Sequence, residues 1–216
     1  MDIGEQNIII IFTTLAITIF AFNYWRDATK EGFSSDKILD SFALLLIGGL
    51  LGGKLLFRSL NYDYFRYQLL TSPLILEGVL VGGALAAFYI IRRNEWDGWK
   101  VGDMISPALA SFQMVVFLGI WIRVKEMEFA LISGAFVLLY LFIRFLKTEY
   151  RLGSSDQYFI FKRADKPVFT GGLFGAYLTG SSLIAIIFLV THVNISSWFW
   201  VFQVVFYFSI LVATYI

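Results

Sequence analysis

Polar and apolar positions in this chain segregate on the scale of whole helices rather than single residues. Seven apolar runs, at roughly 8–25, 41–57, 74–91, 103–122, 129–146, 171–191 and 197–216, are separated by short stretches that carry most of the charge. Each run is near the ~20 residues a helix needs to cross a bilayer. The pattern predicts an all-α integral membrane protein with seven transmembrane helices. No internal repeat or low-complexity linker interrupts it, so residues 1–216 read as a single transmembrane domain. The second run is short and glycine-rich, which suits a tilted helix or one buried against its neighbours. No Lys or Arg precedes the first run, and Trp25-Arg26-Asp27 follows it where a small-residue cleavage site would stand. It therefore reads as a permanent helix rather than a cleaved leader. Gly32 is a breaker, and Ser34-Ser35-Asp36 offers an N-cap for the second helix.

The charges between the runs set an orientation. Arg26, Lys30 and Lys37 follow the first run. Arg92, Arg93 and Lys100 follow the third, and Arg144, Lys147, Arg151, Lys162, Arg163 and Lys166 flank the loop after the fifth. The opposite side holds fewer cations: Lys54, Arg58, Arg66, Arg123 and Lys125. Cation-rich loops stay in the cytoplasm, so the N-terminus is expected outside and the C-terminus inside. Trp198, Trp200, Tyr207 and Tyr215 suit the interface belts of the last helix. Residues 58–73 interleave Arg with Tyr and Phe, as an amphipathic surface segment or a simple connector would. Residues 157–169 read as a small cytoplasmic hairpin or as a basic-aromatic segment on anionic lipid.

Composition narrows the chemistry. Of 216 residues, 58% are hydrophobic and only 15% charged, against about 25% charged in soluble domains. The net charge of +1 offers no basic field for nucleic acid. The absence of cysteine excludes disulfides, thiol nucleophiles and Fe–S clusters, and the single His192 makes a histidine metal site unworkable. No cofactor or metal is expected, and no Ser-His-Asp set, HExxH or Walker sequence is present.

Ionisable and amide groups at membrane depth then become the candidates, because each costs about 2.5–3.5 kcal/mol to insert. Glu77 lies about 6 Å into its helix at 1.5 Å per residue. It fits a headgroup-level carboxylate near a helix N-terminus, or a functional acid. Lys54 and Arg58, one turn apart, can snorkel to phosphates; a Glu77–Lys54 pair is equally compatible with the sequence. Asp103 is expected as a charge at the N-terminus of its own helix. Pro107 sits one turn further, where it is tolerated or kinks the helix mildly. Gln113 is mid-span and needs a partner on another helix. Gly48, Gly49, Gly52 and Gly53, with Gly78, Gly82 and Gly83, form small-residue faces that let the second and third helices approach closely, with a ligand groove as the second use. Phospholipid is the partner these residues suggest.

Five segments in order resemble the prolipoprotein diacylglyceryl transferase family of the bacterial inner membrane. They are Gly48-Gly49-Leu50-Leu51-Gly52-Gly53-Lys54, Glu77-Gly78-Val79-Leu80-Val81-Gly82 followed by Arg92-Arg93, Asp103 to Leu109 with Gln113, Phe129 to Gly134, and Gly171 to Leu178. The third, Asp-x-x-x-Pro-Ala-Leu, is the most specific. The resemblance implies seven spans of the same polarity. It also implies transfer of a diacylglyceryl group from phosphatidylglycerol to a prolipoprotein cysteine, with a histidine base and two arginines on the phosphate. Where the family has its histidine, this chain has Glu77. Phe117 stands at the first arginine and Ile120 at the asparagine of the same signature, while Ser182-Leu183-Ile184-Ala185-Ile186 occupies the region of the second arginine. Removing one preorganised charge stabiliser costs about 2.7–4 kcal/mol of barrier. The departures imply a non-catalytic lipid-binding or scaffolding relative, with Lys54, Arg58, Glu77 and Gln113 lining a groove between helices two to four. The alternative is an active transferase with Glu77 as base and Lys54 or Arg58 as phosphate cations. A solute transporter would show paired discontinuous helices, which the pattern lacks.

Overall fold

The computed structural model describes residues 3–60, 76–149 and 171–191. Those residues form six helices: α1 (Ile3–Lys30), α2 (Ser35–Leu60), α3 (Leu76–Asn94), α4 (Gly98–Val124), α5 (Met127–Glu149) and α6 (Gly172–Thr191). Each matches one of the first six apolar runs. The run at 197–216 and the expected hairpin at 157–169 lie outside the described residues, as does 61–73. The helices overrun their apolar runs because polar ends carry no breaker; α2, for example, continues through Arg58 to Leu60. The 58–73 segment therefore starts as helix. Among the described residues, three segments, Ser35–Leu56, Gly98–Val124 and Met127–Thr148, are long and apolar enough to cross a membrane, and Gly172–Phe188 is a shorter apolar stretch.

The ends of the helices follow local chemistry. At the C-terminus of α1, Gly32 adopts φ +83°, the Phe33 amide donates to the Ala28 carbonyl at 3.1 Å, and the Gly32 amide to Thr29 at 3.2 Å. This is the wrapped end that glycine favours. Ser34 stands just before α2 at the expected cap position, its carbonyl accepting from the Ile38 amide at 3.1 Å. Glu95 (φ 54°) and Lys125 (φ 65°) close α3 and α4 in the same left-handed region without glycine.

The described chain forms two compact units. One comprises α1, α4, α5 and α6 as far as Ile184, with α4 at its centre. Val101, Met104, Ala108, Ala110, Val115 and Phe117 of α4 are all buried, as a helix apolar on every side should be. α1 lies on α4 through the Phe20–Phe112 edge contact at 6.2 Å, and Phe12 covers Gly119 so closely that a Cβ there would stand 2.5 Å away. α5 meets α4 through stacked Phe117 and Phe136, 5.6 Å apart, and through Ser133, whose hydroxyl donates to the Met114 carbonyl at 2.9 Å. On the other side of α5, Leu131, Leu138, Leu141, Phe142 and Phe145 are exposed. A continuous apolar stripe of this kind belongs against lipid rather than water.

The second unit contains α2 and α3, packed along their lengths. Their contact is backbone on backbone. A Cβ on Gly52 would strike the Gly78 carbonyl, and one on Gly82 the Gly48 carbonyl; one on Gly48 would lie 2.6 Å from the Ala86 Cβ. Gly48/Gly52 and Gly78/Gly82 are thus two GxxxG pairs set against each other, the close approach expected from the small-residue faces.

Candidate functional site

The Asp103 segment and the Gly171 segment, far apart in sequence, meet at the start of α6. α4 begins at Gly98, so Asp103 lies in its second turn rather than at its mouth. Its carboxylate accepts the Gly171 amide at 2.7 Å and the Phe174 amide at 2.9 Å. Asp103 therefore caps α6, not its own helix, and the expectation of a charge serving α4 is corrected. The physical reason is that the first amides of α6 are otherwise unpaired, and a carboxylate from a packed neighbour satisfies two at once. Gly171 adopts φ +91° and rests so closely on the Trp99 indole that a side chain has no space; Phe174 covers Gly102. Replacing Asp103 by alanine strands the buried Gly171 amide and the part-buried Phe174 amide and should cost about 1–3 kcal/mol. Asp103→Asn, which replaces one of the two accepting oxygens by an NH2 donor, should fall between. Hydrogen exchange at the Gly171 and Phe174 amides measures this; unchanged protection in Asp103→Ala would remove the cap from the account.

Further along α4, Gln113 receives its cross-helix partner. The Tyr177 hydroxyl donates to Gln113 Oε1 at 2.8 Å, and Tyr177 is itself fully buried. Phe117, one turn beyond, is buried in its stack with Phe136. Ile184, in the region of the second arginine, is also buried.

Lys54, Arg58 and Glu77 belong to the other unit. A Cβ on Gly78 would stand 2.8 Å from the Gly53 Cα, so Lys54 and Glu77, each one residue from that contact, occupy one level of the α2–α3 pair. Arg58 is one turn further along α2. Gln113 lies in the α1–α4–α5–α6 unit, so these four residues are divided between two bodies.

A polar cluster that hydropathy did not single out joins the ends of α1 and α5. Asp27 is fully buried. Arg144 Nη1 donates to both its oxygens, at 3.1 and 2.9 Å; Nη2 reaches Asn23 Oδ1 at 3.0 Å and Nε the Tyr140 hydroxyl at 3.2 Å. Arg26 Nε and Lys147 Nζ approach Asp27 at 3.3 and 3.5 Å, and Lys147 lies 3.9 Å from Glu31. Asn23 also donates to the Ser111 hydroxyl at 2.9 Å, tying the cluster to α4. Burial pushes the Glu31 carboxyl above its ordinary range; Lys147 pulls it down by less. The signal that could have found the cluster is spacing: Asn23, Asp27 and Glu31 recur at every fourth residue, one face of a helix.

No family model matches the chain. Individual proteins do. The chain is 29% identical over 97 residues to the phosphatidylglycerol–prolipoprotein diacylglyceryl transferase of Clostridium tetani, covering 41% of this chain and 37% of the relative. It is 25% identical over 96 residues to phosphatidylglycerol–prolipoprotein diacylglyceryl transferase 2 of Clostridium perfringens, covering 42% and 38%. The transferase of Caldanaerobacter subterraneus is 26% identical over 116 residues, 50% of this chain and 45% of that protein. The match thus spans less than half the length of each of these relatives. Over these partial matches the chain is similar to several phosphatidylglycerol–prolipoprotein diacylglyceryl transferases, as a divergent relative at 25–29% identity.

Proposed function

We propose that this chain is a seven-helix protein of the bacterial inner membrane, a single transmembrane domain with its N-terminus outside and its C-terminus in the cytoplasm. In this reading it binds phospholipid, phosphatidylglycerol being the species its relatives' names point to, as a non-catalytic lipid-binding or scaffolding subunit. Lys54, Arg58, Glu77 and Gln113 are the lipid-contacting residues. The observation that carries the reading is Phe117. Where the family resemblance calls for a guanidinium on the phosphate, this chain stacks an aromatic ring on Phe136 inside the helix packing. A ring cannot stabilise a departing phosphate, and an oxyanion without its donors loses orders of magnitude in rate. The framework residues, by contrast, keep structural work: Asp103 caps α6 and the glycines join α2 to α3. The second reading, an active transferase, draws support from Lys54 and Glu77 sharing one level of the α2–α3 pair, with Glu77 as base and Lys54 or Arg58 on the phosphate.

Complementation tests the two. In a bacterium depleted of its own transferase, the expressed chain should leave a reporter prolipoprotein without a diacylglyceryl adduct by mass. An adduct that disappears in Glu77→Ala would establish the active reading and overturn the first.

A further inference from the structure

The cluster at the ends of α1 and α5 holds more positive charge than its internal pairing uses. Arg144 and Asp27 hold each other most closely: Nη1 donates to both Asp27 oxygens, Nη2 to Asn23 and Nε to Tyr140. Arg26 and Lys147 approach the same carboxylate at 3.3 and 3.5 Å, longer than the Arg144 contact at 2.9 Å, and Arg26 Nη2 also donates to Asn23 Oδ1 at 3.0 Å. Glu31, the second acid, meets Lys147 only at 3.9 Å, and its burial disfavours the ionised form. Among the described residues, three cations, Arg26, Arg144 and Lys147, thus share two carboxylates, Asp27 and Glu31. Arg26 is the most exposed of the three, at 32% of its side chain, while Arg144 and Lys147 keep 21% and 16%.

The surroundings identify what would complete the set. The Arg26 guanidinium lies over the ring of Phe22 at 5.7 Å, and Phe22 is exposed, as are Trp25 on α1 and Phe145 near the end of α5. Exposed aromatic rings next to cations at a helix end are the pattern of a membrane interface. A group that carries one negative charge, accepts hydrogen bonds from a guanidinium and an ammonium, and brings apolar chains against Phe22 and Phe145 is a phosphodiester attached to acyl chains.

We propose that the α1–α5 end is a phospholipid headgroup site, in which a lipid phosphodiester docks on Arg26 and Lys147 while Asp27, fixed by Arg144, positions both cations. The site is separate from Lys54, Arg58, Glu77 and Gln113 and does not rest on the function proposed for them. Asp27 keeps the cations from splaying into solvent; Phe22, Trp25 and Phe145 seat the first carbons of the acyl chains.

The test uses the full chain in neutral detergent with a phosphatidylglycerol probe carrying a diazirine next to its headgroup, with labelled peptides read by mass spectrometry. Peptides covering Phe22–Glu31 and Tyr140–Thr148 should be labelled, and a diacylglycerol probe without the phosphate should leave them unlabelled. Each cation near a membrane surface strengthens anionic lipid binding about fivefold, so Arg26→Gln and Lys147→Gln should each weaken labelling by about that factor, and Arg26→Lys should largely restore it. Equal labelling by diacylglycerol, or unchanged labelling in the Arg26→Gln/Lys147→Gln variant, overturns the site. If the double variant fails to fold, Arg26→Gln alone decides by the same criterion. Displacement by inorganic phosphate, where chloride of equal ionic strength has no effect, would assign the cations to free phosphate and overturn the lipid as the occupant.

Discussion

Asp27→Asn is expected to destabilise the α1–α4–α5–α6 unit by about 3 kcal/mol, toward the lower end of the loss seen when one partner of a buried ion pair is removed. The lower end applies because Arg144 keeps 21% side-chain exposure while Asp27 keeps 1%. The substitution preserves shape and removes charge. Arg144 then faces an amide whose nitrogen is a donor, and Arg26 and Lys147 lose their shared anion. Thermal unfolding in mild detergent should show the midpoint fall. Combining Asp27→Leu with Arg144→Met should recover much of the loss, because an apolar pair of similar volume removes the buried charge altogether. A midpoint equal to the unaltered protein's in Asp27→Asn would mean that the cluster contributes nothing to stability. Glu31, in the same cluster, should behave oppositely. Its folded-state pKa is raised, with burial as the largest cause. Its contribution to stability is therefore full below the ordinary carboxylate range and is lost as pH rises through the raised value. Glu31→Gln should abolish that pH dependence and be neutral or stabilising near pH 7.

The contrast between Asp103 and Asp27 explains what was legible in the sequence. Apolar runs near bilayer length and glycines at helical spacing are signals carried by one helix at a time, and α2, α3 and α4 follow from them directly. The Gly48/Gly52 and Gly78/Gly82 faces needed no knowledge of a partner, because only a close backbone approach uses two small residues a turn apart. Asp103 was visible as an acid near a helix start, yet its role depends on Gly171 and Phe174, 68 and 71 residues away. No local pattern names the helix an acid caps. Asp27 was hidden for a different reason. Between Trp25-Arg26 and Lys30 it reads as one of the polar residues that close a span, and Arg144 reads as a cytoplasmic cation. Only the packing of α1 beside α5 turns the two into a buried pair. The same cations that set the expected orientation thus also hold helices together, so a count of Lys and Arg carries two kinds of information that sequence does not separate.

Gly82→Leu is expected to pry α2 from α3, while Gly83→Leu, one residue away on the same helix, should leave the pair intact. A Cβ at Gly82 would meet the Gly48 carbonyl and stand 2.8 Å from the Gly52 Cα; a Cβ at Gly83 meets nothing within 4 Å. The obstacle at Gly82 is backbone, which cannot change rotamer to make room. Even Gly82→Ala should therefore cost about 1–3 kcal/mol, the usual price of overpacking, and the four-carbon side chain of leucine should exceed it. Between helices in lipid this contact has little hydrophobic support to fall back on, since association there depends on close packing. The chain has no cysteine of its own, so a cysteine pair reports the geometry cleanly. A Cβ at Gly49 would lie 3.3 Å from Val79 Cγ1, within reach of a disulfide between Gly49→Cys and Val79→Cys. That cross-link should form in the unaltered background and with Gly83→Leu, and disappear with Gly82→Leu. Cross-linking that persists in Gly82→Leu would mean the α2–α3 contact does not depend on glycine. Under the proposed function the same substitution should also weaken lipid binding through Lys54 and Glu77, because their shared level on the pair exists only while Gly53 and Gly78 remain in contact.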